Sequence, residues 1–169
     1  MINLKEIKNK IFKKENFLFF IIILSIFLID RYSKIIILKK FDDNVFYINN
    51  FINFDLVWNT GIGFGLLSFD SNLYYNLISI IIFFVIIALL IISFKSDKID
   101  KLIFSVIIGG AIGNFYDRII LNAVPDFIDL HYANFHWFTF NVADIFITIG
   151  IICLILSEFI FYKKKNEKN

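Results

Sequence analysis

The amino-acid sequence predicts an integral membrane protein, mainly α-helical, in which four transmembrane helices support a small β platform formed by the outer loops. Three observations indicate this fold class: 59% of the 169 residues are hydrophobic, the mean hydropathy is +0.75, and only 19% of the residues are charged. Soluble domains carry about 25% charged residues. With one proline and seven glycines there is little flexible linker. We therefore expect residues 1–169 to form a single membrane domain.

Four apolar stretches are long enough to cross a hydrocarbon core of about 30 Å at about 1.5 Å per helical residue. They cover residues 17–38, 73–94, 102–121 and 140–162. The basic segment before them, residues 1–16, has the spacing of a short amphipathic helix on the membrane surface. Asp30 and Arg31 follow the first apolar run where a cleavable secretory signal needs small residues. We therefore expect the first span to be retained as an anchor.

The distribution of Lys and Arg predicts the orientation in the membrane. Twelve of the 17 basic residues lie in the two terminal tails or between the second and third spans. The outer loops, residues 39–72 and 122–139, contain only Lys39 and Lys40. Basic residues favour the cytoplasmic side. Both termini are therefore predicted to be cytoplasmic, and the outer loops to lie on the outer face of the membrane.

Both outer loops show the alternation of β-strands. In the first loop, residues 52–58 alternate between apolar and mostly polar side chains, and residues 128–132 do so in the second. The glycine-containing segment 59–65 has the wrong spacing for a phosphate-binding loop. It favours a turn or a close backbone approach instead. The two alternating segments are the predicted β platform.

The first and third spans contain polar residues at helical spacing. Asp30 and Lys34 are four residues apart, with the acid first, which favours an ion pair of structural or functional role. In the third span Asn114, Asp117 and Arg118 share one face. We interpret Asp117 and Arg118 as a self-neutralised pair that supports the site.

Gly109 and Gly113, in the same span, form a small-xxx-small pair that lets another helix approach closely.

Asp126 and Asp144 are the candidate catalytic residues. An Asp at the centre of a membrane helix costs about 2.5–3.5 kcal/mol, so such residues mark functional sites. Asp126 follows Pro125 in the loop beyond the third span, and Asp144 lies one turn into the fourth span, three residues after Asn141. Two neighbouring carboxylates cannot both ionise easily. One can hold a proton while the other accepts one, which suits water activation and leaving-group protonation.

Other chemistries are poorly supported by the sequence. It has neither a Gly-x-Ser-x-Gly elbow nor a Ser-x-x-Lys pair. His131 and His136 are five residues apart in a loop without a Cys- or Glu-rich motif, so we predict no metal site and no cofactor. A basic aromatic surface for nucleic acid is also missing. The single Cys153 lies in an apolar run and is interpreted as a small buried hydrophobe.

In combination and order, five motifs resemble the lipoprotein signal peptidases, or type II signal peptidases, of bacteria. The motifs are Asp30-x-x-Ser33-Lys34, Asn59-x-Gly61 with Phe64, GGAIGNFYDR at 109–118, VPDFID at 124–129, and FNVAD at 140–144. The resemblance extends from about residue 17 to residue 162. It implies an aspartic endopeptidase of the bacterial inner membrane. Such an enzyme cleaves diacylglyceryl-modified prolipoproteins just before the lipid-bearing cysteine.

The resemblance also implies roles for individual residues. It assigns catalysis to Asp126 and Asp144, and substrate binding or support to Asp30, Lys34, Asn59, Gly61, Asn114, Asp117, Arg118 and Asn141. The implied partners are lipid-modified precursors and membrane lipid, and we expect a monomer.

The sequence departs from the usual family pattern at four positions, Arg31, Ser33, Gly63 and Pro125. Pro125 matters most because it adjoins a proposed catalytic residue.

Two other functions are consistent with buried acids in a membrane. A proton-coupled transporter or ion-conducting subunit would use carboxylates as a charge relay, but these acids cluster at the outer end and trace no path across the bilayer. A non-enzymatic assembly factor would need no paired acids. It would tolerate neutral residues at both Asp126 and Asp144.

Overall fold

The computed structural model describes residues 14–40, 45–61 and 72–166, which form four helices and four strands. The helices are α1 (Lys14–Lys40), α2 (Asn72–Lys95), α3 (Lys98–Leu121) and α4 (Val142–Asn166). The strands are β1 (Phe46–Tyr47), β2 (Ile52–Asn59), β3 (Val124–Tyr132) and β4 (Phe135–Phe140). Most of the predicted surface helix lies outside the described residues. So do Phe64, which belongs to one of the motifs, and Gly63, one of the four departures from the family pattern.

The four helices coincide with the four apolar stretches, with different ends. Helix α3 begins four residues earlier than predicted because the Asp97 carboxylate accepts hydrogen bonds from the backbone N–H groups of Ile99 and Asp100, both at 3.0 Å. Helix α4 begins two residues later than predicted. The reason is that Phe140 ends a strand and Asn141 caps the helix.

Three helices of the described chain are long and apolar enough to cross a membrane. They are Tyr75–Lys95, Lys98–Leu121 and Val142–Ile160. Helix α1 has 27 residues, about 40 Å of helix, and carries charged residues in its second half. The structure thus supports a mainly helical membrane protein with three candidate spans, while a fourth span formed by α1 stays a prediction.

Helix α3 packs against each of the other three helices, and its glycines allow the closest approaches. A Cβ atom on Gly109 would lie 2.9 Å from the Cβ of Ile26, and one on Gly113 would lie 2.6 Å from Oδ2 of Asp30. The predicted small-xxx-small contact is therefore confirmed, with α1 as the partner helix. Cys153 on α4 is exposed, so its interpretation as a buried residue is wrong.

The predicted β platform is confirmed as a four-stranded antiparallel sheet with the order β1-β2-β3-β4. Asn122, in the left-handed conformation with φ 56°, ends α3 and the chain enters β3 two residues later. An irregularity between Phe54 and Val57 in β2 shifts its alternation by one residue, so that Asn53 and Asn59, which are both buried, face opposite sides of the sheet. The sheet thereby places polar side chains against the ends of α3 and α4.

Candidate active site

Asp126 lies in strand β3, paired with Val57 of β2, and not in a loop as predicted. Strand β3 continues through Pro125, which pairs with Trp58, so the proline leaves the local backbone extended. Asp126 is 1% exposed. Its Oδ2 accepts a hydrogen bond from Nδ2 of Asn59 at 2.8 Å, and its Oδ1 accepts one from Nδ2 of Asn141 at 2.5 Å. The strand and its two amide partners hold this carboxylate in place.

Asp144 lies in the first turn of α4, where it forms a reciprocal cap with Asn141. The backbone N–H of Asp144 donates to Oδ1 of Asn141 at 3.1 Å, and the backbone N–H of Asn141 donates to Oδ2 of Asp144 at 3.2 Å. The other carboxylate oxygen accepts from Nδ2 of Asn114 on α3, at 2.7 Å. The start of α4 thus fixes a buried carboxylate beside α3.

Asn141 connects the two carboxylates, because its side-chain N–H donates to Asp126 and its backbone N–H donates to Asp144. We call these residues the dyad cluster: Asp126, Asp144, Asn59, Asn114 and Asn141. All four carboxylate oxygens accept an N–H from a neutral amide. Burial and then the neighbouring Asp144 charge raise the pKa of Asp126 from 3.8 to about 6, against the opposing effect of its two amide donors.

Next to the dyad cluster lies an ion-pair cluster of Asp30, Arg31, Lys34 and Asp117. Lys34 donates from Nζ to Oδ2 of Asp30 at 2.9 Å and to Oδ2 of Asp117 at 2.7 Å. Arg31 reaches Oδ1 of Asp117 at 2.6 Å. The predicted pair between Asp30 and Lys34 is therefore confirmed. The two carboxylates and two cations balance each other in formal charge.

The predicted pair between Asp117 and Arg118 is wrong, because consecutive helical residues point in different directions. Asp117 turns to Lys34 and Arg31, whereas Arg118 donates to the carbonyl oxygens of Gly61 at 2.6 Å and Asn114 at 3.2 Å. Arg31, which the sequence analysis did not include among the site residues, is therefore a member of the site. Its charge within a predicted membrane span was the available signal.

Arg118 also joins the sheet to α3. The carbonyl group of Gly61 that it binds follows Asn59, and Oδ1 of Asn59 accepts the backbone N–H of Gly61 at 2.8 Å. Tyr75 on α2, which the sequence reasoning missed, donates its hydroxyl to the carbonyl oxygen of Arg118 at 2.9 Å. These bonds orient the Asn59 amide toward Asp126. No sequence pattern connected Tyr75 with this site.

Two contacts connect the dyad cluster with the ion-pair cluster. The Asn114 amide accepts from Nζ of Lys34 at 2.9 Å while it donates to Asp144. Oδ1 of Asp30 accepts the backbone N–H of Ala143 at 3.1 Å, one residue before Asp144. The structure therefore brings together all the predicted site residues. Gly61 takes part through its backbone.

A separate group on the sheet includes potential metal ligands. Asp129, His131 and His136 each offer one ligand atom, and these atoms lie within 4.8 Å of one another. The two histidines, expected five residues apart in a loop, are cross-strand partners in the hairpin of β3 and β4. Sequence spacing alone could not reveal this because hairpin register decides which residues meet.

Comparison with known proteins gives consistent matches over most of the chain. The family model described as Signal peptidase (SPase) II matches residues 22–160. The chain is 54% identical to the lipoprotein signal peptidase of Pelagibacter ubique, covering 95% of this chain and 99% of that protein. It is 39% identical to the lipoprotein signal peptidase of Aquifex aeolicus, covering 93% of each chain.

Two solved structures share the fold, both described as a bacterial membrane enzyme studied by the in meso method. The structure at 2.3 Å resolution has a TM-score of 0.70 and 30% identity, and covers 89% of this chain and 91% of its own. The structure at 1.9 Å resolution has a TM-score of 0.66 and 29% identity, with 82% and 90% covered.

Proposed function

The chain belongs to the signal peptidase II family, and on that premise we propose that it is an aspartic endopeptidase with Asp126 and Asp144 as its catalytic pair. The observation that carries this proposal is that one residue, Asn141, donates hydrogen bonds to two nearly fully buried carboxylates, from its side chain to Asp126 and from its backbone N–H to Asp144. Burying a carboxylate without a cationic partner costs free energy, so a carboxylate buried in this way is expected to have a function. Aspartic proteases use a pair of carboxylates that share one proton to cleave the peptide bond.

In the proposed reaction the two carboxylates share one proton. The ionised carboxylate takes a proton from the attacking water, while the protonated one polarises the scissile carbonyl group. The proton taken from water then passes to the leaving amine. The pKa of Asp126, raised to about 6 by burial and by Asp144, supports a pair that retains one proton up to about pH 6, well above the range of an ordinary Asp. Because coupled acids titrate together, the proton belongs to the pair.

We propose that the substrates are prolipoproteins modified with diacylglycerol, cleaved just before the lipid-bearing cysteine. The names of the relatives, lipoprotein signal peptidases, support this class of substrate. A precursor of this kind has two membrane anchors, its signal helix and its lipid. Together the two anchors hold the scissile bond at one depth in the membrane. A site at the ends of α3 and α4, beside the sheet, is at a fixed depth too and can meet the bond there. We propose that one chain without a cofactor is sufficient, since both carboxylates come from the same chain.

The test is cleavage of a lipid-modified precursor by the purified chain in detergent, followed as a shift in gel mobility. The matched control is the same precursor before lipid transfer, which we expect to be cleaved far more slowly. Equal rates with and without the lipid would refute the proposed substrate class. A complete lack of cleavage of both precursors by folded protein would refute the proposed protease.

We also propose that all four helices span the inner membrane, with both termini in the cytoplasm and the dyad cluster at the outer face. Twelve of the 17 basic residues lie on the proposed cytoplasmic side, which supports this orientation. In a Cys153→Ser background, cysteines introduced at Asn50 and Asn134 should react with an impermeant thiol reagent on intact cells. A cysteine at Asp97 should not, and labelling at Asp97 alone would reverse the orientation.

A further inference from the structure

We propose that Asp129, His131 and His136 form a binding site for a zinc-type divalent cation on the β3–β4 hairpin. Asp129 and His131 are two positions apart on β3 and therefore point to the same face of the sheet. His136 lies directly across from His131 on β4. The hairpin itself thus brings three metal-ligating side chains together, which the spacing of five residues between the histidines did not suggest.

The ligand atoms lie within 4.8 Å of one another, close enough for small side-chain movements to bring them onto one ion. Oδ2 of Asp129 is hydrogen-bonded to Nδ1 of His136 at 2.7 Å and lies 3.5 Å from Nδ1 of His131. Zinc binds imidazole nitrogen and carboxylate oxygen at about 2.0–2.2 Å, so two ligand atoms on a tetrahedral edge are about 3.3 Å apart. The two observed distances bracket that value. The histidine rings are stacked, with centroids 5.3 Å apart and an angle of 23° between their planes.

Two buried polar atoms on this face have no hydrogen-bond partner in the part of the chain that the structure describes. His131 is 5% exposed, yet its Nδ1, which lies 3.5 Å from Oδ2 of Asp129, forms no hydrogen bond with the described residues. Asn53 lies across from Asp129 on β2, and its Oδ1 also has no partner. Buried polar atoms are rarely left unpaired, and such an atom calls for an explanation. A cation would accept the lone pair of Nδ1, and Asn53 lies on the same face to contact the cation or its bound water.

The donor set selects the kind of ion. Two imidazoles and one carboxylate suit zinc, whereas calcium and magnesium prefer sites made of oxygen atoms alone. His136 is exposed on one side, which gives the ion access and leaves room for water as a fourth ligand. Asp126 lies three positions from Asp129 on a regular strand and so faces the other side of the sheet. The proposed ion therefore binds apart from the dyad cluster, and its site is independent of the proposed protease function.

The first experiment is titration with Zn²⁺ by calorimetry of the full chain in detergent, purified with a tag that contains no histidine. The chain has two histidines and one cysteine, so Cys153→Ser removes the only thiol. In that background we expect about one Zn²⁺ per chain. His131→Ala, His136→Ala and Asp129→Asn should each weaken binding at least about tenfold. Asp55→Asn, the matched control on the same sheet, should leave binding unchanged.

A second measurement needs no substitution at the site and so does not depend on folding of a variant. Diethyl pyrocarbonate modifies accessible imidazoles, and Zn²⁺ should protect His136 from it in the otherwise unchanged chain. Equal rates of modification of His136 with and without saturating Zn²⁺ would overturn the proposal. So would Zn²⁺ binding that keeps its affinity and stoichiometry in both histidine variants.

Discussion

The dyad cluster and the ion-pair cluster both bury two carboxylates, but they surround them with different partners. Among the described residues, Asp126 and Asp144 accept hydrogen bonds from neutral amides only. Asp30 and Asp117 are bound by Lys34 and Arg31. The two clusters share Asn114, which touches Lys34 on one side and Asp144 on the other. The two clusters are therefore neighbours in space, but neutral groups surround the carboxylates of one and cations surround those of the other.

This difference separates a reactive acid from a structural one. A cation beside a carboxylate favours the charged form and fixes its ionisation, while burial beside a second acid makes the proton easier to keep. Amide donors orient a carboxylate without bringing a full charge. The ion-pair cluster can therefore hold α1 against α3, and the dyad cluster remains able to exchange a proton. The predictions that follow test this division.

The largest effect should come from removing proton exchange in the dyad cluster. Asp126→Asn and Asp144→Asn keep the shape of the side chain, so each variant should remain folded and inserted in the membrane. Each should lower kcat/KM for the lipid-modified precursor by at least about 10³-fold. Residues that act as one unit lose function non-additively, so the double variant should be hardly slower than either single one. Near-normal cleavage by either single variant would remove that residue from the pair.

The second effect concerns Asn141, which positions both carboxylates. Asn141→Ala removes the donor to Asp126 and the acceptor of the Asp144 N–H. We expect kcat/KM to fall by about 10²-fold, because small displacements of catalytic groups cost about that much. The matched control is Asn134→Ala in the exposed hairpin turn, which should cleave at the normal rate. Equal rates for the two variants would mean that Asn141 does not position the pair.

The third effect is the pH dependence of cleavage. The raised pKa of Asp126 means that the pair loses its shared proton as the pH rises through about 6. Above that pH, kcat/KM should fall toward a slope of about tenfold per pH unit. The Asn59 N–H favours the ionised form of Asp126, so Asn59→Ala should move this decline to higher pH. A profile that is flat between pH 5 and 8 would contradict the shared proton.

Much of this arrangement follows from local sequence patterns. The length of the apolar stretches predicted the helices, and the alternation of apolar and polar residues predicted the sheet. The spacing of Asp30 and Lys34 predicted their ion pair. Those inferences depend on neighbours in the chain or on helical periodicity, which the sequence displays directly. Asn141 and Asp144 were likewise expected on one face, and the structure makes them a reciprocal cap.

The errors concern contacts between distant segments. Asp126 was expected in a loop because it lies just beyond the third span, whereas pairing with β2 makes it part of a strand. Asp117 was expected to pair with its neighbour Arg118. Cations on another helix, 83 residues away in the case of Lys34, compete better for its carboxylate. Tertiary packing decides such contacts, and one sequence carries no direct record of it.

The smallest effect on turnover, and the largest on stability, should come from Asp117→Asn. The substitution leaves Lys34 and Arg31 without a carboxylate that now lies 2.7 Å and 2.6 Å from their nitrogens. Removing one partner of a buried ion pair costs about 3–5 kcal/mol. Thermal unfolding in detergent, followed by the fluorescence of the two tryptophans, should therefore occur at a lower temperature than in the wild type. Cleavage per folded molecule should change little, because neither Asp126 nor Asp144 loses a hydrogen bond.

The matched control for this prediction is Asp55→Asn on the sheet, which should alter neither unfolding nor cleavage. The decisive comparison is with Asp126→Asn. If Asp117→Asn abolished cleavage without lowering the unfolding temperature, while Asp126→Asn cleaved normally, the reactive pair would be Asp117 with Asp144. The reactive acid, Asp117, would then be surrounded by cations, and the structural acid, Asp126, would be surrounded by amides. The presence or absence of a cation beside a carboxylate would then not tell a structural acid from a reactive one, because the carboxylate bound by Lys34 and Arg31 would be the one that exchanges the proton.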